Sequence, residues 1–127
     1  MTIEYRTQPL APALLLEELA FYGEVLARRG IVTTTAMFGW DSCLDIDDMW
    51  QDMLVPTRDL VDWLLAAQQA GTVMVGRSDV IVSAGDCTFT LCHESDVHIA
   101  AAADAAEEFW VRWTEEGYAP YAVPPLR

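Results

Sequence analysis

The passage TVMVGRSDVIVSAGDCTFTLCHESDVHIA, residues 72–100, decides the fold. It holds three β-rich runs, residues 72–75, 80–84 and 88–93, separated by turn-forming residues at 76–79 and at Gly85-Asp86. Connections this short join antiparallel neighbours, so the passage predicts a three-stranded meander. A fourth short strand, residues 97–100, returns after Ser95-Asp96. The first two runs are continuously apolar, the pattern of strands covered on both faces. The third alternates, with Cys87, Phe89, Leu91 and His93 on one face and Thr88, Thr90 and Cys92 on the other.

Helical patterns flank this sheet. Over residues 13–29, Leu15, Leu19, Tyr22 and Leu26 recur at helical spacing, with Leu16 and Ala20 widening the stripe. Glu17, Glu18 and Glu24 fall on other faces, Glu24 stands four before Arg28, and Gly30 supplies a cap. Thr57 is the N-cap candidate of a second helix reaching Ala70, with Leu60, Val61, Leu64, Leu65 and Gln68 on one face. A third helix starts at Asp104, where Asp104 and Glu107 have capping-box spacing. Ala106, Phe109, Trp110 and Trp113 form its apolar stripe, Glu108 and Arg112 pair along it, and Gly117 stops it. Residues 31–38 fit either a strand or a loop. Residues 1–12, with Pro9 and Pro12, predict an extended N-terminal arm, and the Pro-rich residues 118–127 a tail lying along the surface. The expected whole is a single α+β domain over residues 1–127, a three- or four-stranded antiparallel meander packed by about three helices. A chain of 127 residues buries a core of that size without staples.

Charge narrows the function classes. Asp and Glu number 20 against 7 Arg and no Lys, a formal charge of −13. Phosphate and anionic lipid would be repelled, so nucleic acid and membrane are excluded as expected ligands and a basic partner is favoured. Apolar residues make up 53% and charged residues 21%, a globular balance rather than a disordered one. Cys43, Cys87 and Cys92 are an odd count with no paired framework, which fits free thiols. The early apolar run, residues 14–16, is broken by Glu17 and Glu18 and is too short for a secretory segment, so a cytoplasmic location is expected.

Two residue sets compete for a functional role. Cys87, Cys92, His93 and His98 make a Cys-x4-Cys-His-x4-His arrangement. Structural zinc usually takes paired cysteines from a tight knuckle. Strand alternation sends Cys92 and His93 to opposite faces, and they share a metal only if the strand breaks there. His93 and His98 are the better pair, facing each other if Ser95-Asp96 is a two-residue turn, yet they lack an evident third ligand. No metal and no cofactor is therefore expected, with His93 and His98 as the residual metal candidates. A cysteine nucleophile would need an oxyanion loop that the sequence does not offer. The second set lies in GWDSCLDIDDMWQDM, residues 39–53, part of which suits a short helix ended by Pro56. It is no calcium loop, because Asp45-Ile46-Asp47 is followed by no glycine at the sixth place and no glutamate at the twelfth. It reads as a partner-binding face built from Trp40, Asp41, Asp45, Asp47, Asp48, Trp50 and Asp52, the carboxylates steering and the indoles anchoring. The bland alternative is a solvated loop whose Trp and Met reach back into the core.

The segment LCHESDVHI, followed by a helix and FWVRWTEEGY, is similar to a group of small acidic bacterial proteins that resemble the immunity proteins of polymorphic toxin systems. The resemblance spans residues 89–118 and carries no functional residue over. It implies a cytoplasmic, non-enzymatic protein that binds and blocks one cognate toxin, often basic or acting on nucleic acid or nucleotides. The competing expectations are a small acidic secretion chaperone that dimerises around an unfolded effector segment, and a small metal-dependent enzyme using His93 and His98.

Overall fold

The computed structural model describes residues 2–124. In chain order the elements are β1 (Ile3–Arg6), α1 (Pro12–Arg28), β2 (Thr33–Phe38), β3 (Met53–Pro56), α2 (Leu60–Gln69), β4 (Val80–Ala84), β5 (Cys87–Leu91), β6 (Val97–Ala101), α3 (Ala103–Glu115) and β7 (Tyr121–Val123). The strands form one antiparallel sheet of seven, ordered β3-β2-β4-β5-β6-β1-β7. The α+β class is as expected, and β4-β5-β6 is the meander that residues 80–100 encode. The sheet is wider than the three or four strands expected.

The extra strands come from outside the deciding passage. Residues 33–38 are a strand, inserted between β3 and β4 with Thr34, Ala36 and Phe38 facing inward. The expected N-terminal arm is instead an interior strand, β1, pairing Ile3 with Ala101 on one side and Tyr5 with Ala122 on the other. Its prolines at 9 and 12 follow the strand and do not interrupt the ladder. The tail also contributes an element, because Tyr121–Val123 pairs with β1 as an edge strand; residues 125–127 lie outside the described part. The run at 72–75, by contrast, is not a strand. Its backbone is satisfied locally, Val75 N–H donating to Gln68 Oε1 at 2.9 Å and Met74 N–H to Ser78 Oγ at 3.0 Å, so no ladder is needed.

One face of the sheet is the core. Alternate residues of β4, β5 and β6, such as Val82, Phe89, Leu91, Val97 and Ile99, are buried while their neighbours are half-exposed. Even β4, apolar in sequence, is covered on one face only. Leu15, Leu19, Tyr22 and Leu26 of α1 and Phe109 and Trp113 of α3 fill that face. Tyr22 stacks on Phe89 at 4.9 Å and donates its hydroxyl to the Cys87 carbonyl at 2.7 Å, so the ring buries without orphaning its oxygen.

Helix ends depart from the sequence rules where tertiary partners intervene. Pro12 occupies the first turn of α1, where its missing N–H costs nothing. Thr57 does not cap α2; it opens a single 3-10 turn, and among the described residues its buried hydroxyl has no partner. Asp104 makes no capping box but reaches across to Arg29. The expected Glu108–Arg112 pair does not form either. Glu108 meets Arg28 and Arg29, both at 2.9 Å. Arg112 meets Glu18, which is 0% exposed despite its expected outer face. That carboxylate accepts Arg112 Nε at 3.0 Å, Arg112 Nη2 at 2.9 Å and Trp113 Nε1 at 2.7 Å. The three charge-assisted bonds offset its desolvation and lock α1 to α3.

Candidate functional site

The acidic passage forms an excursion between β2 and β3. The expected short helix is absent; residues 39–52 are turns, with Asp48 and Met49 N–H both donating to the Asp45 carbonyl. Asp41 and Trp50 stand at φ of 60° and 62°, the left-handed region that non-glycine residues seldom occupy. Gly39 lies so close under the Trp50 indole that a Cβ there would overlap the ring. Hydrogen bonds tie the excursion to the segment before β4: Cys43 N–H to the Thr72 carbonyl at 2.7 Å, Asp79 N–H to the Trp40 carbonyl at 2.9 Å, and Ser78 Oγ to the Asp41 carbonyl at 2.6 Å. The loop is thus a built feature with a defined backbone.

All seven residues expected to bind a partner lie on this excursion, and all seven are exposed. Trp40 is 54% exposed, Trp50 39% and Ile46 71%, so the indoles do not reach back into the core. They meet edge to face at 5.9 Å. Leu44 and Met53 do turn inward against the core. Among the described residues, none of Asp41, Asp45, Asp47, Asp48 and Asp52 has an ion-pair partner, whereas Arg28, Arg29 and Arg112 are engaged between α1 and α3.

Beside the excursion, an open groove of about 720 Å³ is lined by Asp41, Cys43, Met74, Arg77 and His93 among others. The His93 edge belongs to a second polar cluster. Strand β5 ends at Leu91, so the alternation that would separate Cys92 from His93 stops before them. Residues 92–96 form a loop closed by Cys92 N–H to the Asp96 carbonyl at 2.9 Å and Ser95 N–H to the Cys92 carbonyl at 3.0 Å, with Ser95 at φ 70°. The loop is longer than the two-residue turn expected, and the register places His98 opposite Thr90. His93 and His98 therefore do not face each other.

Each histidine instead meets an aspartate that the sequence reading passed over. His93 Nδ1 lies 2.8 Å from Asp79 Oδ1, which also accepts the His93 backbone N–H at 2.7 Å. His98 Nε2 lies 2.8 Å from Asp96 Oδ2. The hydrogen bond to Asp79 holds the His93 imidazolium above its usual range. Asp79, Cys92 and His93 bring their ligand atoms within 4.8 Å of one another, and so do Cys92, Asp96 and His98. Burial pushes both the Cys87 and the Cys92 thiols up to about 11, so neither is a ready thiolate nucleophile at neutral pH. The β4–β5 hairpin joins Asp79 to His93, since the register that pairs Val80 with Leu91 brings Asp79 to the end of β5. Asp96, two residues from His98, was the legible member.

The chain is an α+β protein with a one-sided core, an exposed acidic excursion and a Cys-His-Asp cluster at the β5–β6 loop. Comparison with protein families, with curated proteins and with solved structures returned no match. Among the described residues no helix is long and apolar enough to cross a membrane.

Proposed function

We propose that this protein is a non-enzymatic inhibitor of immunity type, which blocks a basic toxin by docking residues 40–52 over its active site. The observation that carries the reading is the exposure of Trp40, Ile46 and Trp50 among five carboxylates that have no ion-pair partner among the described residues, on a backbone pinned to the fold. Five like charges on one loop steer a cationic partner into encounter. Two exposed indoles in edge-to-face contact supply anchors of the kind that dominate binding energy. A loop already ordered before binding has little entropy left to lose, which favours a long-lived complex.

The test uses a basic toxin that co-purifies with this chain, held as the complex. Replacing Asp45, Asp47 and Asp48 together by Asn is expected to slow association at low salt by roughly tenfold or more and to flatten its salt dependence. Trp50→Ala should act mainly on the dissociation rate. Unchanged association kinetics in the triple variant would remove this face as the site.

A further inference from the structure

We infer that Cys92, Asp96 and His98 form a binding site for a single zinc-class divalent cation at the β5–β6 loop, independent of the acidic excursion. The three ligands flank one closed loop: Cys92 follows β5, Asp96 precedes β6, and His98 is the second residue of β6. Their sulfur, oxygen and nitrogen atoms lie within 4.8 Å of one another. Tetrahedral zinc with bonds of about 2.0–2.3 Å sets neighbouring donors roughly 3.3–3.8 Å apart. The Asp96–His98 contact of 2.8 Å need open by only about half an ångström to admit the ion.

Asp96 points to the cation. The residue is almost fully buried, at 7% exposure, and among the described residues its Oδ1 has no hydrogen-bond partner. A buried carboxylate oxygen without a donor carries an uncompensated desolvation cost, and coordination to a cation removes it. The neighbouring trio, Asp79, Cys92 and His93, shares the sulfur but lacks this deficit: among the described residues no buried oxygen of Asp79 is left without a partner, and its Oδ1 accepts two bonds from His93. Thiolate and carboxylate together neutralise the two positive charges, the imidazole ligates as a neutral base, and the thiol proton leaves to solvent on binding. A mixed sulfur, nitrogen and oxygen set selects zinc over calcium or magnesium. Three protein ligands leave the fourth position to water. Cys92 and His98 are only partly buried, which leaves the ion an approach.

Cobalt(II) is the probe, titrated into the chelator-treated full chain carrying Cys43→Ser, so that the exposed thiol cannot compete. One equivalent is expected to produce tetrahedral visible bands and a thiolate-to-cobalt charge-transfer band. Cys92→Ser should abolish the charge transfer, His98→Asn should weaken binding by roughly tenfold or more, and His93→Asn should leave it unchanged. Zinc should also raise the parent's melting temperature, and the isosteric Asp96→Asn should lose that rise while folding normally. No charge-transfer band in the parent, its survival in Cys92→Ser, or its loss in His93→Asn but not in His98→Asn would each overturn the assignment.

Discussion

Glu18 shows how one residue can reverse its sequence reading. Its charge suggests an outer face, yet it stands three residues after Leu15 and four before Tyr22, on the buried side of α1, where it holds Arg112 and Trp113 of α3. Arg112 also lies over the Phe21 ring at 4.6 Å, adding a cation–π contact at the same joint. Removing the cation leaves a buried carboxylate with one neutral donor, so Arg112→Met is expected to cost about 3 kcal/mol or more in urea unfolding. Glu18→Gln should cost less, because the half-exposed guanidinium can turn to water while the amide oxygen still accepts from Trp113. Equal losses in the two variants would show that the buried charge is not what the joint balances.

Between elements, the α1–α3 seam carries a second layer of charge. Arg28 and Arg29, in and just after the last turn of α1, meet Asp104 and Glu108 at the start of α3. The Arg29 side chain holds both carboxyls below their usual range. A carboxyl with a depressed folded pKa contributes stability that is fully present above the unfolded value, about 4, and is lost as pH falls through the folded one. Acidification also relieves the self-repulsion of a chain at −13, an effect of opposite sign. The seam is therefore read as a difference: Glu108→Gln should be less stable than the parent at neutral pH, and the gap should close in strong acid. Urea midpoints measured across that range check it, and a pH-independent gap would exclude the ion pairs as its cause. The β5–β6 connection shows the same dependence on partners at smaller scale. Strand β5 is legible from its alternation, but its end at Leu91 is set by the bonds that close the loop through Cys92, Ser95 and Asp96.

At the scale of the whole molecule, the sheet joins the two ends of the chain. Strand β1 sits between β6 and β7, so residues about ninety or more apart in sequence become ladder neighbours. Deleting residues through Arg6 is expected to do more than trim an arm. It exposes an edge of β6 and strands β7 without a partner, and the cooperative unfolding transition should shift down by many degrees or vanish. A thermal transition within a degree or two of the parent's, followed by near-ultraviolet circular dichroism, would restore the arm reading.

Local pattern alone was enough for the three helices, the β4-β5-β6 meander and the acidic excursion, because each depends on periodicity, turn residues or charge within a short window. Tertiary structure decided what those windows do not contain. Four-residue strands such as IEYR and MLVP are too short to announce themselves, and only a waiting sheet edge makes them strands. The valines of 72–75 looked like a strand, but side chains of Gln68 and Ser78 took the hydrogen bonds first. The ion pairs went between helices because a buried Glu18 demands a cation more strongly than a solvated i, i+4 neighbour does. The grouping of Cys92, Asp96 and His98 was hidden as well: it depends on where β5 stops, and the hydrogen bonds that close the loop beyond Leu91 set that stop.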